Sequence, residues 1–561
     1  MTKNAVGSKI LKKEQVLISI FLIAILVMSS GSVVAFAKSN VHVVKPNCPP
    51  GQTPPKGCSD DTANIQAALN ACTGPGPWCT VQLVKGTYYL ASQITVYGFQ
   101  GSFVGAGQGQ TNIVGLPSMP SPNKAYNIPC AGYDPTLPGN GCSSTYGNPA
   151  GGVPFWVGYP GMGPDGSGSP EGSGTPNPWP ALFTFEGGSI AISGMTMTDT
   201  SPTPTSGWYF PAIDGGSFQT ALVAPIVITG PGLGTSMVSA AIDHVSMVGV
   251  AGDFGGYNIG DGVYISGKTL PSTWYNVEGD PYPITGTYSI TNSVFNNIGT
   301  PAQANFLVNS NVVICGNTIN DVITPPVGFV PYEIEVFDNS NTNVLICNNQ
   351  GTEPNSNAVD VFQGGLKTGL SPSKVTITGN NFPVSGGGTA VALLDFEPFS
   401  GAAPTLSAVV SGNTFQSIYA GESVWDTSVI YSLSLKSTIV SLNSIAGGGQ
   451  PGIYVNGGPG TIIGNKIAGA STGIWLDAVS GVQVAGNIVT NSLMSGIALT
   501  NFNFPGLGTT PSSNNVIIGN SVHGSGICTA TQGCDLWWDG SGTGNVFHWN
   551  FCTTSQPSGL C

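Results

Sequence analysis

The phrase VVICGN, at residues 312–317, returns with small changes many times between about residue 289 and residue 550. Each copy combines apolar residues, a small residue and a closing asparagine. The other copies are SITN (289–292), VLICNN (344–349), VTITGN (375–380), AVVSGN (408–413), TIVSLN (438–443), GTIIGN (460–465), VQVAGN (482–487), NVIIGN (515–520) and NVFHWN (545–550). Successive closing asparagines lie 22 to 33 residues apart. A repeat of this length predicts a solenoid, because each unit is too small to bury its own apolar face.

The composition of the phrases indicates that the solenoid is built from β-strands. Each phrase is too short for a helix and is rich in Val, Ile and Thr, which favour strands. The apolar alternation restarts after the asparagine, as in Thr414-Phe415, so one coil holds a strand, a tight corner and another strand. Gly or Asn at the corner tolerates a positive φ, and asparagines stacked at one corner can bond to each other's amides. Hairpins would not keep the phrase on one side of the turn. The sequence therefore predicts an all-β, parallel β-helix fold.

The overall composition fits such a fold and excludes one class of partner. The 561 residues include 81 glycines and 43 prolines, while only 7% of the residues are charged. Tight corners and long loops explain this balance. The formal net charge of −13 argues against nucleic acid as a partner. All 14 basic residues are lysines, so the sequence contains no arginine.

The N-terminus has the pattern of an export signal. Lys9, Lys12 and Lys13 precede an apolar run from Val16 to Met28, and the sequence AFA at 35–37 matches a cleavage site. The apolar run is shorter than the ~20 residues that span a bilayer. Stretched to Ala37, it could serve as a membrane anchor. We therefore predict a secreted protein, with contact to a membrane only through an uncleaved N-terminal segment.

The twelve cysteines also favour an oxidising, extracellular compartment. Proximity in sequence predicts the pairs Cys48–Cys58, Cys72–Cys79, Cys130–Cys142, Cys528–Cys534 and Cys552–Cys561. The two cysteines that remain, Cys315 and Cys347, hold the same place in adjacent phrases. Parallel strands lie ~4.8 Å apart, which is within the Cα range for a disulfide, so these two can bridge neighbouring coils. No CxxC pair or histidine cluster indicates zinc, and no metal site is predicted.

Residues near the N-terminus resemble those of a known family. SDDTANIQAALNAC (59–72) predicts a helix that Ser59 or Asp60 can cap and that buries Ile65, Ala68 and Leu69. VKGTYYL (84–90) and FVGAGQGQT (103–111) follow as a strand and a turn. Together, residues 59–115 resemble the N-terminal cap and first coil of the pectate-lyase superfamily. The resemblance implies a right-handed parallel β-helix and does not imply one activity, since the fold hosts lyases, hydrolases, epimerases, adhesins and spikes.

These observations give a domain organisation. We expect a signal peptide at 1–37 and a Cys- and Pro-rich lead-in at 38–58. The β-helix then occupies 59–527, with loop insertions at 116–180 and 268–283. A disulfide-rich C-terminal coil and cap, to which Trp537, Trp538 and Trp549 contribute, takes residues 528–561. The cap helix would cover strand edges that otherwise invite aggregation.

A second phrase lies upstream of each asparagine phrase. It allows equivalent positions in successive coils to be matched with one another. In copies such as EIEVFD (333–338) and AVDVFQ (358–363), alternate apolar residues point inward and the residue between them points outward. The coil near Glu422 to Asp426 fits this alignment ambiguously. The predicted outward column reads Tyr264, Glu335, Asp360, Ala392, Tyr454, Trp475, Ala498 and Trp537.

Acids at the centre of this column and aromatic residues on its flanks predict a polysaccharide site. Aromatic rings stack on sugars, and paired carboxylates cleave glycosidic bonds. Glu335 and Asp360 are the candidate catalytic pair, with Glu333 and Asp395 in reserve. Adjacent coils bring carboxylates to about 5 Å at the backbone, and we expect the like charges to raise the pKa of one of them. The candidate sugar-binding residues are Tyr264, Tyr454, Trp475 and Trp537.

Other interpretations of the same column remain open. Outward residues of a β-helix can be plain solvent-facing surface, and stacked aromatic residues can stabilise a sheet. The carboxylates could instead hold Ca²⁺. The pair Asp243-His244 could act as an acid and base, although a histidine at a corner is more often structural.

The family's two best-known active sites do not carry over to this sequence. Lyases of the family typically use an arginine base beside calcium-binding acids, and this chain would need Lys367 or Lys436 instead. The polygalacturonase-type hydrolases carry Asp-Asp and Gly-His-Gly motifs on their coils. Here the only Asp-Asp is at 60–61, and none of the four histidines lies between two glycines. We therefore predict a glycosidase-like protein with paired carboxylates, with a non-catalytic glycan-binding surface protein or a calcium-dependent lyase as alternatives.

Overall fold

The computed structural model describes part of the chain in detail. The described residues are 40–74, 76–116, 128–129, 152–153, 181–200, 224–230, 236–250, 261–266, 284–320, 332–352, 357–364, 369–385, 389–417, 428–448, 450–501, 510–526, 528 and 533–561. The predicted signal peptide, the pair Cys130–Cys142, Lys367, nearly all of the two insertions and the side chain of Glu333 lie outside them.

Parallel strands wind around three faces, which we call sheets A, B and C. Sheet A contains the asparagine phrases, and each of its strands pairs in parallel with the phrase of the next coil. Its repeating strands are Thr287–Thr291, Asn311–Cys315, Asn343–Cys347, Ser373–Thr378, Leu406–Ser411, Ser437–Ser441, Gly460–Ile463, Gln483–Ala485, Val516–Ile518 and Val546–His548.

Sheet B follows the asparagine in each coil, and sheet C follows sheet B. The strands of sheet B are Val294–Asn296, Thr318–Asn320, Gln350–Thr352, Asn381–Ser385, Thr414–Ser417, Ser444–Ala446, Lys466–Ala468, Ile488–Thr490 and Ser521–His523. Those of sheet C are Asp261–Ser266, Thr300–Asn305, Tyr332–Phe337, Asn357–Gln363, Val391–Asp395, Ile430–Leu433, Ile453–Asn456, Ile474–Asp477, Ile497–Thr500, Leu536–Trp538 and Ser555–Gln556.

Longer strands build the first coils. Ala181–Asp199 pairs in parallel with Ile94–Val104 on one side and with Ser236–Val248 on the other. The remaining strands are Asn40–Val44, Cys79–Leu83, Gly86–Leu90, Thr111–Gly115, Ala224–Thr229, Ile284–Thr285 and the antiparallel pair Ile128–Pro129 and Gly152–Val153. The predicted all-β, parallel β-helix is therefore confirmed.

The core is a continuous apolar column inside the coils. Val312, Val344, Val375 and Ala408 lie in register on successive strands of sheet A, and all four are buried. The short alternating phrases produce this column because every second side chain of a strand points to the same face.

The closing asparagines form a ladder along one corner of the helix. The side-chain nitrogen Nδ2 of Asn380 donates to Oδ1 of Asn413 at 2.9 Å, and Asn413 donates to Asn443 at the same distance. The backbone N–H of each asparagine donates to the same oxygen of the next coil. The ladder continues over Asn317, Asn349, Asn380, Asn413, Asn443, Asn465, Asn487, Asn520 and Asn550. Each amide thus satisfies polar groups that the corner buries.

The residue before each ladder asparagine carries the positive φ. Gly379 and Gly412 have φ of 67° and 64°, whereas Leu442 and Trp549 adopt 57° and 53° at the same place. This register corrects the alignment of the first phrase. Asn292, with a φ of 49°, occupies the glycine position, and Ser293 holds the place of the ladder asparagine by donating its N–H to Asn317.

Helix α1, Thr62–Asn70, covers the first end with the buried residues Ile65 and Leu69. Its N-cap residue is Asp61, whose buried carboxylate accepts the N–H groups of Asn47 and Tyr89. The side chain of Asp60, one of the two predicted caps, accepts the N–H of Thr62. The predicted helix is thus confirmed, but its N-cap is Asp61 and not the predicted Ser59 or Asp60.

Five of the six expected disulfides form in the described residues: Cys48–Cys58, Cys72–Cys79, Cys315–Cys347, Cys528–Cys534 and Cys552–Cys561. The Cys315–Cys347 bond joins two coils across sheet A, with a Cα–Cα distance of 4.5 Å. At the second end Leu560 joins the core, and Trp538 and Cys552 pack against it. Trp549 was expected to contribute to this cap. It does not, because its side chain is 71% exposed.

Candidate functional site

The register of sheet C brings the two candidate acids side by side. Glu335 and Asp360 are direct partners on the neighbouring strands Tyr332–Phe337 and Asn357–Gln363. The full column reads Tyr264, Gln303, Glu335, Asp360, Ala392, Tyr431, Tyr454, Trp475, Ala498 and Trp537. Sequence alignment missed Gln303 and Tyr431. The strand TPAQAN lacks the apolar phrase, and Tyr431 lies in the coil whose alignment was ambiguous.

This face of sheet C is buried, so the interpretation of the column as plain solvent-facing surface was wrong for its central coils. The side chain of Glu335 is 7% exposed and that of Asp360 is 0% exposed. Ala392 and Tyr431, on the next two coils, are buried as well. Buried carboxylates are costly unless they are paired or hydrogen-bonded, which makes these two acids unusual for the surface of a solenoid.

Two amides from the preceding coil lie beside Glu335. Nδ2 of Asn305 donates to Oε1 of Glu335 at 3.4 Å and to Oε1 of Gln303 at 3.1 Å. Oδ1 of Asn305 is buried and has no hydrogen-bond partner among the described residues. Gln303, Asn305, Glu335 and Asp360 therefore place side-chain oxygens on three adjacent coils.

Asp395 has a different environment from the acid pair. It lies at the end of its strand opposite Gln363, and its two oxygens accept backbone N–H groups from Thr405, Leu406 and Glu397 at 2.6 to 3.1 Å. Burial raises the pKa of Asp395 more than these hydrogen bonds lower it, and the nearby Glu397 charge raises it further. The structure thus gives Asp395 the role of fixing a turn and does not bring it into the pair.

Glu397, which sequence reasoning missed, supports the same region. It begins the short 3₁₀ helix Glu397–Ser400, is fully buried, and accepts the N–H groups of Gly369 and Leu370 at 3.1 and 2.9 Å. Asp395 and Glu397 together hold residues 405–406 and 369–370 next to the strand Val391–Asp395. Both carboxylates bind backbone amides, and no spacing in the sequence indicates that role.

The candidate sugar-binding aromatic residues pack on each other. The rings of Tyr431 and Tyr454 stack at 5.2 Å with an interplanar angle of 7°, and Trp475 meets Tyr454 edge-on at 5.3 Å. Tyr454 is buried, while Trp475 and Trp537 are half-buried. Tyr264, at the other flank, is 1% exposed. This packing supports the interpretation of the aromatic residues as a ladder that stabilises the sheet.

A polar network, which the sequence did not reveal, holds these rings in place. The hydroxyl of Tyr454 donates to Oδ2 of Asp477 at 2.8 Å, and Thr500 donates to Oδ1 of Asp477. Nε1 of Trp475 donates to Thr500, and Nδ2 of Asn456 donates to the Tyr454 hydroxyl. Burial raises the pKa of Tyr454, and the charge of Asp477 raises it further. Asp477 lies two residues after Trp475 and in register with Asn456 and Thr500, and that register was its only signal.

The pair Asp243-His244 lies at the ladder corner, away from sheet C. Nδ1 of His244 is 2.6 Å from Oδ2 of Asp243, and Thr291 and Asn292 donate to the other oxygen. Burial tends to raise the pKa of Asp243, but the hydrogen bonds and the His244 charge outweigh it and lower the pKa. His244 has a φ of 52°, as other residues at this corner do. The position of the pair therefore favours a structural role at this corner.

Two further features concern metals and membranes. Within the described ranges, the one group of three potential metal ligands is His42, Cys72 and Cys79, and its two sulfurs are bonded to each other. The described ranges also contain no helix with the length and apolar character of a membrane span.

Comparisons with known proteins agree with the fold. The family model "Right handed beta helix region" matches residues 372–548. No curated protein matches the chain. Among solved structures, the A-module of the Azotobacter vinelandii mannuronan C-5 epimerase AlgE6 aligns at 14% identity and a TM-score of 0.44, covering 89% of this chain and 97% of that one.

Two other structures align in a similar way. DFA-IIIase from Arthrobacter chlorophenolicus A6 has 14% identity and a TM-score of 0.41, and the alignment covers 86% of this chain and 95% of that one. The catalytic unit of the GH87 α-1,3-glucanase from Streptomyces thermodiastaticus strain HF3-3 has 11% identity and a TM-score of 0.34, with 91% and 70% covered. Likenesses this distant do not transfer an activity. The matched family model and the parallel coils show that the chain has a right-handed parallel β-helix fold.

Proposed function

We propose that this protein is secreted and acts on a polysaccharide along sheet C, where Glu335 and Asp360 cleave a glycosidic bond. The observation that carries the proposal is the register, which places the two buried carboxylates directly beside each other on adjacent coils. The five disulfides and the N-terminal export pattern support an extracellular location.

The spacing of the coils favours a retaining reaction. Neighbouring parallel strands lie ~4.8 Å apart, close to the ~5–5.5 Å between the carboxyl groups of retaining glycosidases. One carboxylic acid donates its proton to the glycosidic oxygen, and the leaving sugar departs with the bonding electrons. The other carboxylate attacks the anomeric carbon and forms a glycosyl ester, which water then hydrolyses with the first residue as base.

The surroundings of the pair are suited to this division of roles. Two adjacent carboxylates in a buried site favour a state in which only one is ionised, since like charges repel. Asn305 donates to Glu335 and so fixes the position of one oxygen. Asn305 also bonds to Gln303, so the two amides of the preceding coil form a small network beside Glu335.

The test compares the wild-type protein with Glu335→Gln and Asp360→Asn on a panel of polysaccharides, with released reducing ends as the readout. Either change should lower turnover by at least about 100-fold, the usual contribution of a general acid or base. Asp539→Asn is the control, because Asp539 is an exposed carboxylate near the end of sheet C and should leave turnover unchanged. Wild-type protein that binds a polysaccharide and releases no product would show that the proposed hydrolysis is wrong.

The aromatic half of sheet C favours a second candidate, a non-catalytic glycan-binding surface protein. Tyr454 and Trp475 are tied to Asp477 and Thr500 by side-chain hydrogen bonds, so their rings form a rigid apolar surface. For this candidate, Glu335→Gln and Asp360→Asn would leave polysaccharide binding unchanged, and no variant would generate product.

The oxygen-rich set around Asn305 also fits Ca²⁺, which prefers carboxylate and amide oxygens. The unpartnered Oδ1 of Asn305 and the carboxylates of Glu335 and Asp360 would hold the ion, which would then neutralise an acidic substrate. A lyase also needs a base, and the described strands of sheet C contain no lysine. Lys436 lies at the exposed corner between sheets C and A. Turnover that survives a chelator would separate the hydrolase from a calcium-dependent lyase.

A further inference from the structure

We propose that Phe396 and Phe399 form a sugar-binding subsite near the acid pair, and that this subsite takes a neutral sugar residue of the substrate. The subsite rests on the proposed function, because it binds the polymer that the acid pair would cleave. The sequence pointed to other aromatic residues of this face, and the structure shows Tyr454 and Trp475 packed in a ladder instead.

A row of phenylalanine rings leads from the acid pair to the surface. Phe362 lies two residues after Asp360 on the same strand, so the two side chains share the outward face of sheet C. Its ring lies 5.9 Å from that of Phe337 and stacks on that of Phe396 at 6.3 Å and 7°. The ring of Phe399 follows, 5.9 Å from that of Phe396. Phe337 is 1% exposed and Phe399 is 38% exposed, so the row ends at an accessible ring.

The turn that carries the last two rings is tied to the strand of Asp360. The N–H of Phe396 donates to the carbonyl of Gln363, the last residue of that strand, at 2.7 Å. The N–H of Phe399 donates in turn to the carbonyl of Phe396 at 3.0 Å. A shift of the turn relative to the acid would break the first of these bonds, so the rings keep a fixed position beside the acid.

Two buried carboxylates hold the same turn. Asp395 accepts the N–H of Glu397 at 3.1 Å, and Glu397 accepts the N–H groups of Gly369 and Leu370. Burying a carboxylate is costly, and the proposed mechanism uses neither of these two. The cost has a physical reason if the turn must present its rings in one position, because a preorganised surface loses little conformational freedom on binding.

The charges beside the turn favour a neutral sugar. A phenylalanine ring offers an apolar face, on which the C–H face of a pyranose ring can stack. Asp395 and Glu397 accept backbone N–H groups, and no lysine of the described residues forms an ion pair with either. A uronic acid on the rings would bring a third carboxylate toward these two, and like charges repel strongly where water is scarce.

The test measures KM and kcat on polymers of neutral sugars and on polymers of uronic acids. Wild-type protein should release reducing ends from a neutral polymer. Phe399→Ala should raise KM for that polymer about fivefold and leave kcat unchanged, because the ring binds the substrate without touching the reacting atoms. Phe399→Tyr keeps a ring and should retain the wild-type KM. Since Phe399 lies at the surface, each variant should keep the wild-type fold, which its melting temperature checks.

Phe551→Ala is the matched control. Phe551 is also a surface ring, 69% exposed, but it lies beside Ser521 of sheet B, so its loss should leave KM unchanged. A KM that does not rise in Phe399→Ala, or that rises equally in Phe551→Ala, would overturn the subsite. Cleavage of uronic acid polymers in preference to neutral ones would overturn the neutral-sugar assignment and leave the proposed hydrolysis standing.

A binding measurement separates the subsite from the hydrolysis. If wild-type protein releases no product, electrophoresis through gels that contain the same polymers compares it with Phe399→Ala. Weaker retardation of the variant by a neutral polymer would support the subsite although the proposed hydrolysis is wrong. Equal retardation of the two proteins would overturn the subsite as well.

Discussion

Sheet A and sheet C belong to the same coils, but their repeated positions are filled in opposite ways. At the closing corner of sheet A, asparagine recurs in every coil from Asn317 to Asn550, and each amide bonds to the next. In the outward column of sheet C, the residue changes at every step from Gln303 through Glu335, Asp360 and Ala392 to Tyr431.

This contrast shows which positions of the fold are constrained in residue type and which can vary. A ladder asparagine has its partners in the coils above and below, so replacing one member leaves groups unsatisfied in its neighbours. The coils of sheet C are already held by backbone pairing and by inward apolar residues. Their outward side chains can therefore vary, and a site can be built there without breaking the stack.

The largest expected effect comes from Asn413→Ala in the ladder. The change removes the acceptor for two donors of Asn380 and the donor to Ile377, all of them buried. We expect the free energy of unfolding to fall by more than about 3 kcal/mol, since each unsatisfied buried group costs about 1–3 kcal/mol. Urea denaturation followed by circular dichroism measures it.

Asn343→Ala is the control for this prediction. Asn343 is exposed, and its Nδ2 donates to Asn311 at 3.3 Å on the solvent side of sheet A. It should cost less than about 0.5 kcal/mol, as surface changes usually do. Similar losses in both variants would mean that the buried ladder contributes no more than any asparagine pair at the surface.

The second prediction contrasts two buried acids of sheet C. Asp395→Asn should lower the free energy of unfolding by about 2–3 kcal/mol, because an amide cannot accept all the N–H groups of Thr405, Leu406 and Glu397. Asp360→Asn should leave stability unchanged or raise it, because it removes a charge beside Glu335. Thermal unfolding of the two variants tests this. A large loss for Asp360→Asn would assign that residue a structural role and weaken the proposed site.

Much of the fold could be predicted from the sequence because it depends on local, repeated patterns. The repeated phrases predicted the strands of sheet A. Because Cys315 and Cys347 occupy the same position in adjacent phrases, they also predicted the disulfide between them. The phrase SITN is the one that the repeat misplaced. Asn292 looks like a ladder member, yet its φ of 49° places it at the glycine position, and Ser293 takes the ladder place.

The candidate site was less predictable because its character comes from partners far apart in sequence. The alignment put Glu335 beside Asp360, but it could not show that both are buried. The function of Asp395 follows from backbone amides at 405 and 406, and that of Asp477 from Tyr454 and Thr500 on neighbouring coils. Such contacts depend on turn geometry and on side-chain hydrogen bonds between coils, which residue patterns do not specify.

The third prediction concerns the aromatic half of sheet C. Tyr454→Phe keeps the ring that stacks on Tyr431 and removes the hydroxyl that links Asn456 to Asp477. The free energy of unfolding should fall by about 1–2 kcal/mol, the cost of one buried hydrogen-bond partner. Tyr454→Leu also removes the stacked ring and should cost more. Unchanged stability in Tyr454→Phe, together with weaker glycan binding, would instead make this tyrosine a sugar-binding residue.

The smallest expected effect is a change in the pH dependence of stability at the C-terminal coil. Asp535 is buried, and its carboxylate accepts the N–H groups of Ser525, Thr553 and Thr554. Burial opposes ionisation, but these hydrogen bonds outweigh it and lower the pKa of Asp535 below its ordinary value of 3.8. A lowered pKa in the folded state stabilises the fold at pH values above the ordinary carboxyl pKa of the unfolded chain, and this contribution is lost as pH falls through the folded pKa.

Asp535→Asn should therefore reduce the drop in melting temperature between about pH 5 and pH 2, relative to wild-type protein. Asp539→Asn, whose carboxylate is exposed and accepts the nearby N–H of Ser541, should leave the pH profile unchanged. If the two variants follow the same profile, the carboxylate of Asp535 does not hold the last coil. The C-terminal end would then depend on its disulfide and on Leu560, which do not titrate in this range.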